Sequence, residues 1–245
     1  MRFVIILAVC ISLSIITYAD NIRVATSDWP PFYSPKLDNN GILTYIVQET
    51  LKPIGHTLTV DFLPWARALA LTKAGKYHAL LGCWHTKERE DYYYFTKKIL
   101  DAGPHFMKKE SSKLRINKPK DLEGSKIGII RDFALSDTIK KLITEDKIHL
   151  VEVDSVYQLF ELIEFSRVDV ILENPLVLKY QYKNKFTRAK HELVSAGPDF
   201  KDGYIYVCWS KKMSGIKKII EGFDISFDKI FTEAKLTKTI NDLFN

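Results

Sequence analysis

Three stretches of the chain set chemically capable side chains where a ligand would meet them. The first is Thr86-Lys87-Glu88-Arg89-Glu90. Thr86 suits a helix N-cap, which puts Arg89 in the first turn, where a cation opposes the helix dipole instead of matching it. A guanidinium so placed is either a planar fork for a carboxylate or half of a surface ion pair with Glu88, Glu90 or Asp91. The second is Glu173, which ends the apolar run Val168-Asp169-Val170-Ile171-Leu172 and precedes Asn174-Pro175. Its carboxylate either accepts an ammonium from a ligand or caps the helix that follows. The third is Ser27-Asp28-Trp29-Pro30-Pro31-Phe32-Tyr33. Two prolines forbid helix there, and the aromatics Trp29, Phe32 and Tyr33 form either a stacking wall or a core tucked under the loop.

Other combinations have less to offer. Cys83, His85, His78 and His105 are soft or borderline metal ligands, but their spacing matches no compact metal motif, and neither metal nor cofactor is expected. Cys83 and His85 share one side of a strand, yet no third residue presents itself to orient them as a nucleophile and base. Arg131 is a candidate second carboxylate contact or the partner of Asp132.

The elements that must position these residues alternate between strand and helix. Residues 22–26 alternate like a strand, 42–54 carry apolar residues at helical spacing up to Gly55, and 57–63 are β-branched and alternating. A helix over 64–74 with proline in its first turn and a strand over 78–82 complete one α/β series. A second series follows as strand 126–130, helix 135–142, strand 149–153, helix 156–165, strand 168–172 and helix 175–182. Such order implies two parallel-stranded lobes, with ligands at the carboxyl ends of the strands. Extended runs at 103–117 and 204–210 read as two crossings between the lobes, and helices over 216–236 and 236–244 return to the first.

The 245 residues carry 36 Lys+Arg against 30 Asp+Glu, and this modest excess is scattered in doublets such as Lys140-Lys141 and Lys217-Lys218. A nucleic-acid binder concentrates its charge on one stripe, so no nucleic acid is expected. Met1-Arg2, the apolar stretch to Ile16 and Thr17-Tyr18-Ala19 read as a secretory signal peptide, residues 1–19, cut before Asp20. The apolar stretch is too short for a spanning helix, which needs about 20 residues. Outside the cytoplasm the remaining cysteines, Cys83 and Cys208, form either one disulfide or two buried thiols.

The loop 28–33, Pro64-Trp65-Ala66-Arg67-Ala68, Gly75-Lys76-Tyr77-His78-Ala79, Thr86 to Arg89, Asp121-Leu122-Glu123-Gly124-Ser125-Lys126-Ile127-Gly128 and Val168-Asp169-Val170 together resemble the family 3 extracellular solute-binding proteins, the amino-acid-binding type of periplasmic binding protein. The resemblance spans most of the chain after residue 19. It implies a type II two-lobed α/β fold, each lobe a largely parallel sheet flanked by helices and joined by two hinge strands, with lobe 1 at 20–106 plus 204–245 and lobe 2 at 107–203. It implies a periplasmic monomer, not an enzyme, that captures an amino acid or related carboxylate for the membrane subunits of an ABC importer. Arg89 corresponds to the family's carboxylate ligand and Glu173 to its ammonium ligand. Trp29 and Trp84 lie where side-chain contacts are usual, and Thr86, Phe32 and Arg131 join the candidate set. The chain departs from the family at Gly128-Ile129-Ile130-Arg131-Asp132, where a Gly-Thr or Gly-Ser pair is common, and at Ile42-Leu43-Thr44-Tyr45, where an acidic pair is common. The alternatives are an enzyme of lyase or dehydratase type on the same fold, with Glu173 as general acid, and a ligand-sensing partner of a separate receptor.

Overall fold

The computed structural model describes residues 20–184, 186, 191–197 and 203–244. The expected signal segment, residues 1–19, lies outside the described residues. The first series runs β1 (Asn21–Thr26), α1 (Ile42–Leu51), β2 (Thr57–Phe62), α2 (Trp65–Lys73), β3 (Ala79–Trp84) and α3 (Lys87–Glu90), then the short strands β4 (Tyr93–Phe95) and β5 (Leu100–Asp101). After β6 (His105–Lys109), the second series is β7 (Lys126–Ile130), α4 (Asp137–Thr144), β8 (His149–Val153), α5 (Val156–Glu164), β9 (Val170–Glu173), α6 (Pro175–Asn184) and β10 (Leu193–Ser195). The chain finishes with β11 (Tyr204–Ser210), α7 (Ile216–Ile230) and α8 (Glu233–Phe244).

Local chemistry accounts for the boundaries. Ile42, Leu43, Ile46, Val47 and Leu51 repeat at helical spacing and are all buried in α1. Gly55, in the left-handed conformation, stops the turn that follows. Pro64 sits just ahead of α2 in an extended conformation, one residue outside the helix expected to begin with it. Ser136 and Ser155 cap α4 and α5 by accepting from the backbone N–H of Ile139 and Gln158.

Each sheet has a core of three parallel strands, β2-β1-β3 in the first and β8-β7-β9 in the second. The other members join through antiparallel pairings: β11 to β3, with β4 and β5 on β11, in the first sheet, and β6 to β9, with β10 on β6, in the second. The sheets are thus mixed beyond their parallel cores, because a chain entering one sheet from the other arrives without the crossover helix that a parallel pairing requires. β6 already belongs to the second sheet, so the expected lobe boundary at 106/107 falls inside that strand. The two crossings touch where the Ala102 N–H donates to the Gly203 carbonyl at 2.9 Å. A Cβ on Gly203 would lie 2.0 Å from the Gly103 Cα, so only glycine permits this approach.

Cys83 on β3 and Cys208 on β11 form a disulfide with Cα atoms 6.2 Å apart, inside the first lobe. α7 closes over α1, where Ser226 Oγ donates to the Thr50 carbonyl at 2.8 Å. The largest apolar cluster joins first-lobe residues such as Ile22, Trp29, Trp84 and Phe223 to Ala134, Val156 and Val177 of the second. The lobes meet face to face. Among the described residues no helix is long and apolar enough to cross a membrane.

Candidate functional site between the lobes

The strand ends of the two parallel cores face each other across a partly open cavity of about 40 Å³, lined from the first lobe by Ser27, Asp28, Trp29, Tyr33, Trp65, Gly82 and Trp84, and from the second by Ile130, Phe133, Asp154, Ser155, Val156 and Glu173. The loop after β1 supplies Trp29 by a tight turn. The Trp29 N–H donates to the Tyr33 carbonyl at 2.8 Å, and the Phe32 N–H to the Trp29 carbonyl at 3.1 Å. Pro30-Pro31, joined by a cis peptide, occupies the tip. The rings interlock, with Trp29 stacked on Phe32 at 4.5 Å between centroids and edge-on to Trp84 at 5.5 Å. Trp84 packs on Phe133 of the opposite lobe at 4.7 Å.

Gly82 admits Tyr33 to the cavity floor. Its φ of +78° is open to glycine alone, and a Cβ there would lie 2.4 Å from the Tyr33 ring. Tyr33 Oη donates to the Gly82 carbonyl at 3.3 Å, and burial raises its pKa well above the usual range of a phenol. It stays neutral.

Glu173 is 1% exposed. Its Oε1 accepts from Trp29 Nε1 at 2.9 Å, across the lobes, and from the Asn174 N–H at 2.7 Å. Its Oε2 is buried with no partner. Burial pushes the carboxyl up to about 7, against the lowering effect of those two donors. The helix-capping alternative falls to its neighbour, since Asn174 Oδ1 accepts from the backbone N–H of Leu176 and Val177 at the start of α6. Trp84, another lining residue, also has its Nε1 buried with no partner.

Arg89 stands beside this cavity, not in its wall. Thr86 caps α3 as expected, its Oγ accepting from the Arg89 N–H at 3.2 Å. The guanidinium donates through Nη1 to the Trp84 carbonyl at 2.9 Å and through Nη2 to the Asp132 carbonyl of the second lobe at 3.0 Å. It also lies over the Trp65 ring at 5.5 Å. At 7% exposed, it has its pKa pushed down by burial to about 10 and remains charged at neutral pH. Trp65 Nε1 donates to the same Asp132 carbonyl at 3.3 Å, and Lys140 on α4 pairs with Glu88 on α3 at 2.7 Å. Three polar links therefore tie the lobes together on this side. The ion pairs considered for Arg89 do not form: Glu88 pairs with Lys140, and Glu90 with His85 at 2.6 Å. Arg89 and Thr86 line an adjoining cavity with Tyr93, Asp132 and Phe133.

Two candidates stand away from the central cavity. Phe32 is buried behind Trp29, and its carbonyl accepts from the Leu43 N–H on α1 at 2.9 Å, so it joins the core without lining the cavity, whereas Trp29 and Tyr33 do both. Arg131 is half exposed and bonds Asp154 at 2.9 Å and Glu152 at 3.4 Å instead of Asp132. The register Ile130↔Val153 sets the residues after β7 and β8 side by side, which chooses Asp154 over the sequence neighbour. Asp154, Ser155, Val156 and Phe133 went unassigned in the sequence, although each follows directly on a parallel strand, where ligands are expected. Trp65 was quoted there without a role; nothing in its local sequence signals that α2 swings it across to Asp132.

No family model matches the chain, and no curated protein matches it. Solved structures do. An ancestral arginine-binding protein bound to arginine superposes with a TM-score of 0.75 and 20% identity over 92% of this chain and 98% of its own. An amino acid ABC transporter substrate-binding protein from Streptococcus pneumoniae, bound to L-arginine, gives 0.72 and 21% over 91% and 94%. An arginine 3rd transport system periplasmic binding protein from Legionella pneumophila gives 0.72 and 15% over 92% and 100%. With two mixed sheets, a double crossing between them and a cavity at their facing strand ends, the chain has the two-lobed α/β fold of the periplasmic binding proteins.

Proposed function

We propose that the protein is a solute-binding receptor that works outside the cytoplasm, closes its lobes on a small amine-bearing solute of the amino-acid class, and presents it to the membrane subunits of an ABC importer. One observation supports this above the rest: Glu173 holds a partnerless carboxylate oxygen at a cavity between two lobes, with Trp29 of the facing lobe bonded to its other oxygen. A buried acceptor without a partner costs about 1 to 3 kcal/mol, and an ammonium removes that cost while restoring the charge that burial suppresses. The fold neighbours named as amino-acid receptors agree with this reading.

Arg89 enters it in two capacities. Its bonds to Trp84 and Asp132 use two of five N–H donors, so a solute carboxylate would find others on a fork that already spans the lobes. A thermal-shift screen of amino acids, polyamines, short peptides and organic acids tests the reading. A true ligand at 100 times its dissociation constant adds about 2.7 kcal/mol of stability. It is also recovered unchanged and shrinks the radius of gyration in solution scattering. Chemical conversion of the hit favours the lyase or dehydratase alternative, and stabilisation without any scattering change argues against a closing cleft.

A further inference from the structure

We infer that the edge of the first lobe, where the end of α2, the strand β4 and the turn from β11 into α7 come together, is a docking surface for a membrane rich in anionic phospholipid headgroups. This lies away from the solute cavity and rests on the receptor reading only for the place of action, outside the cytoplasm and beside the membrane that holds the importer.

Lysine doublets that are scattered along the sequence meet at this edge. Gly75, just past α2, stands between Lys73 and Lys76, and a Cβ on it would lie 2.8 Å from the Lys212 Cβ, so the end of the helix rests on the turn after β11. The Lys211 N–H donates to the Tyr92 carbonyl at 3.0 Å, and Lys211 Nζ to the Glu90 carbonyl. β4 is an edge strand of its sheet. Tyr92 and Tyr94 stand two residues apart along it and share a face. Ammonium groups cover both rings: Lys73 Nζ lies 3.4 Å from the Tyr92 centroid, and those of Lys211 and Lys217 lie 4.9 and 5.1 Å from the Tyr94 centroid. Lys76, Lys212 and Lys218 are exposed beside them.

Among the described residues no carboxylate pairs with Lys73, Lys76, Lys211, Lys212, Lys217 or Lys218. The nearby acids are Asp91 and Glu221, both exposed, and Glu90, which is paired with His85 at 2.6 Å. Like charges gathered on one face repel one another, and Lys217 and Lys218, in the first turn of α7, also oppose its dipole. A fold that keeps such an excess offers it to a polyanion. The side chains favour lipid over nucleic acid. All six cations are lysines, point charges on flexible stems that suit a fluid layer of headgroups, where reading a fixed phosphate backbone favours the planar fork of arginine. Tyr92, 42% exposed, and Tyr94 supply the amphipathic rings that settle at headgroup level.

The test is sedimentation of the exported protein with vesicles of phosphatidylcholine, alone or mixed with phosphatidylglycerol. Binding is expected to the mixed vesicles at low salt, not to phosphatidylcholine alone, and to be lost near ~1 M salt, where the screening length falls to about 3 Å. Lys73→Glu, Lys211→Glu and Lys217→Glu together should weaken binding by about tenfold or more. Lys113→Glu, Lys120→Glu and Lys183→Glu change the net charge equally on the second lobe and should stay within about twofold of native. If the first variant does not fold, Lys217→Glu alone, which matches the dipole of α7, should weaken binding by about threefold or more. Equal binding to both kinds of vesicle overturns the inference, as does equal loss in the two triple variants or tighter binding to a DNA duplex than to the mixed vesicles. Absence of binding to either vesicle also overturns it and leaves the lysines as guards against edge-to-edge strand pairing. The receptor reading stands or falls separately, on solute binding in the thermal-shift screen.

Discussion

The two walls of the cleft are built from different chemistry. The first lobe contributes rings: Trp29, Tyr33, Trp65 and Trp84 are packed among themselves, backed by Phe32 and braced by the Cys83–Cys208 disulfide behind β3. The second contributes the carboxylates Glu173 and Asp154, the aliphatic Ile130 and Val156, and a single ring, Phe133. Interlocked rings hold one another's positions by packing, whereas a buried carboxylate oxygen without a partner carries a desolvation cost. Rings thus give one wall its shape, with Asp28 as that wall's one carboxylate, and the other wall holds the buried carboxylate of Glu173.

Perturbing the side that bridges both walls should have the largest effect. Arg89→Ala removes a donor from the Trp84 carbonyl and one of the two donors on the Asp132 carbonyl, and is expected to weaken solute binding by roughly 2 to 5 kcal/mol. Arg89→Lys should recover little of it, since an ammonium cannot reproduce the planar fork. Titration of both variants against native protein decides; a loss no larger than the ~1 kcal/mol of an exposed pair in each would show that Arg89 takes no part in holding the solute.

Reduction should then separate the lobes by their bracing. Opening Cys83–Cys208, 125 residues apart in sequence, is expected to cost roughly 2 to 4 kcal/mol. In hydrogen exchange the loss of protection should fall on β3 and β11 and spare β7 and β9. Equal loss in both sheets would show that the lobes unfold as one unit.

The charged wall should declare itself in pH. Glu173 has a folded pKa raised to about 7 from 4.5, so its contribution favours the native state fully below the unfolded pKa and is lost as pH rises through 7. For the solute-free protein that amounts to about 3 kcal/mol between pH 4 and pH 8. Glu173→Gln should remove this component from a series of denaturant melts while leaving the rings in place. A native protein whose stability rises with pH over this range, unchanged in slope by the substitution, would mean that Glu173 is not buried as described.

The smallest effect belongs to Lys140–Glu88, the exposed link between the lobes. Lys140→Ala should change closure or stability by under about 1 kcal/mol, and salt should weaken the pair further. A larger loss by the same melts would shift weight from the cleft walls to its rim.

Most of the strand and helix pattern was legible, since burial of one face imposes a period that the residues at 22–26, 42–51, 126–130 and 156–164 display openly, but the two- and three-residue strands β4, β5 and β10 are too short to carry such a period. The aromatic loop and Glu173 were legible for a related reason: the loop follows parallel strand β1 and Glu173 ends parallel strand β9, and the topology turns such strand ends toward the facing lobe. Thr86 as cap and Arg89 in the first turn followed from local hydrogen-bond needs. What those side chains touch was not local. Whether Arg89 meets Glu88, a solute or the carbonyl of Asp132 depends on how the second lobe docks, which no spacing in 86–90 encodes. Arg131 takes Asp154 over its neighbour because of the β7–β8 register, Trp29 lines the cavity while Phe32, stacked on it, does not, and Trp65 bonds the Asp132 carbonyl across the lobes. The sequence by itself determined the alternation of elements and the strand ends that carry the site, because periodic burial and backbone chemistry act over a few residues. Only the tertiary structure decided which side chains share the cavity and which tie the lobes together, because those contacts join residues as far apart as Trp29 and Glu173, whose distance is set by two packed sheets and the crossings between them.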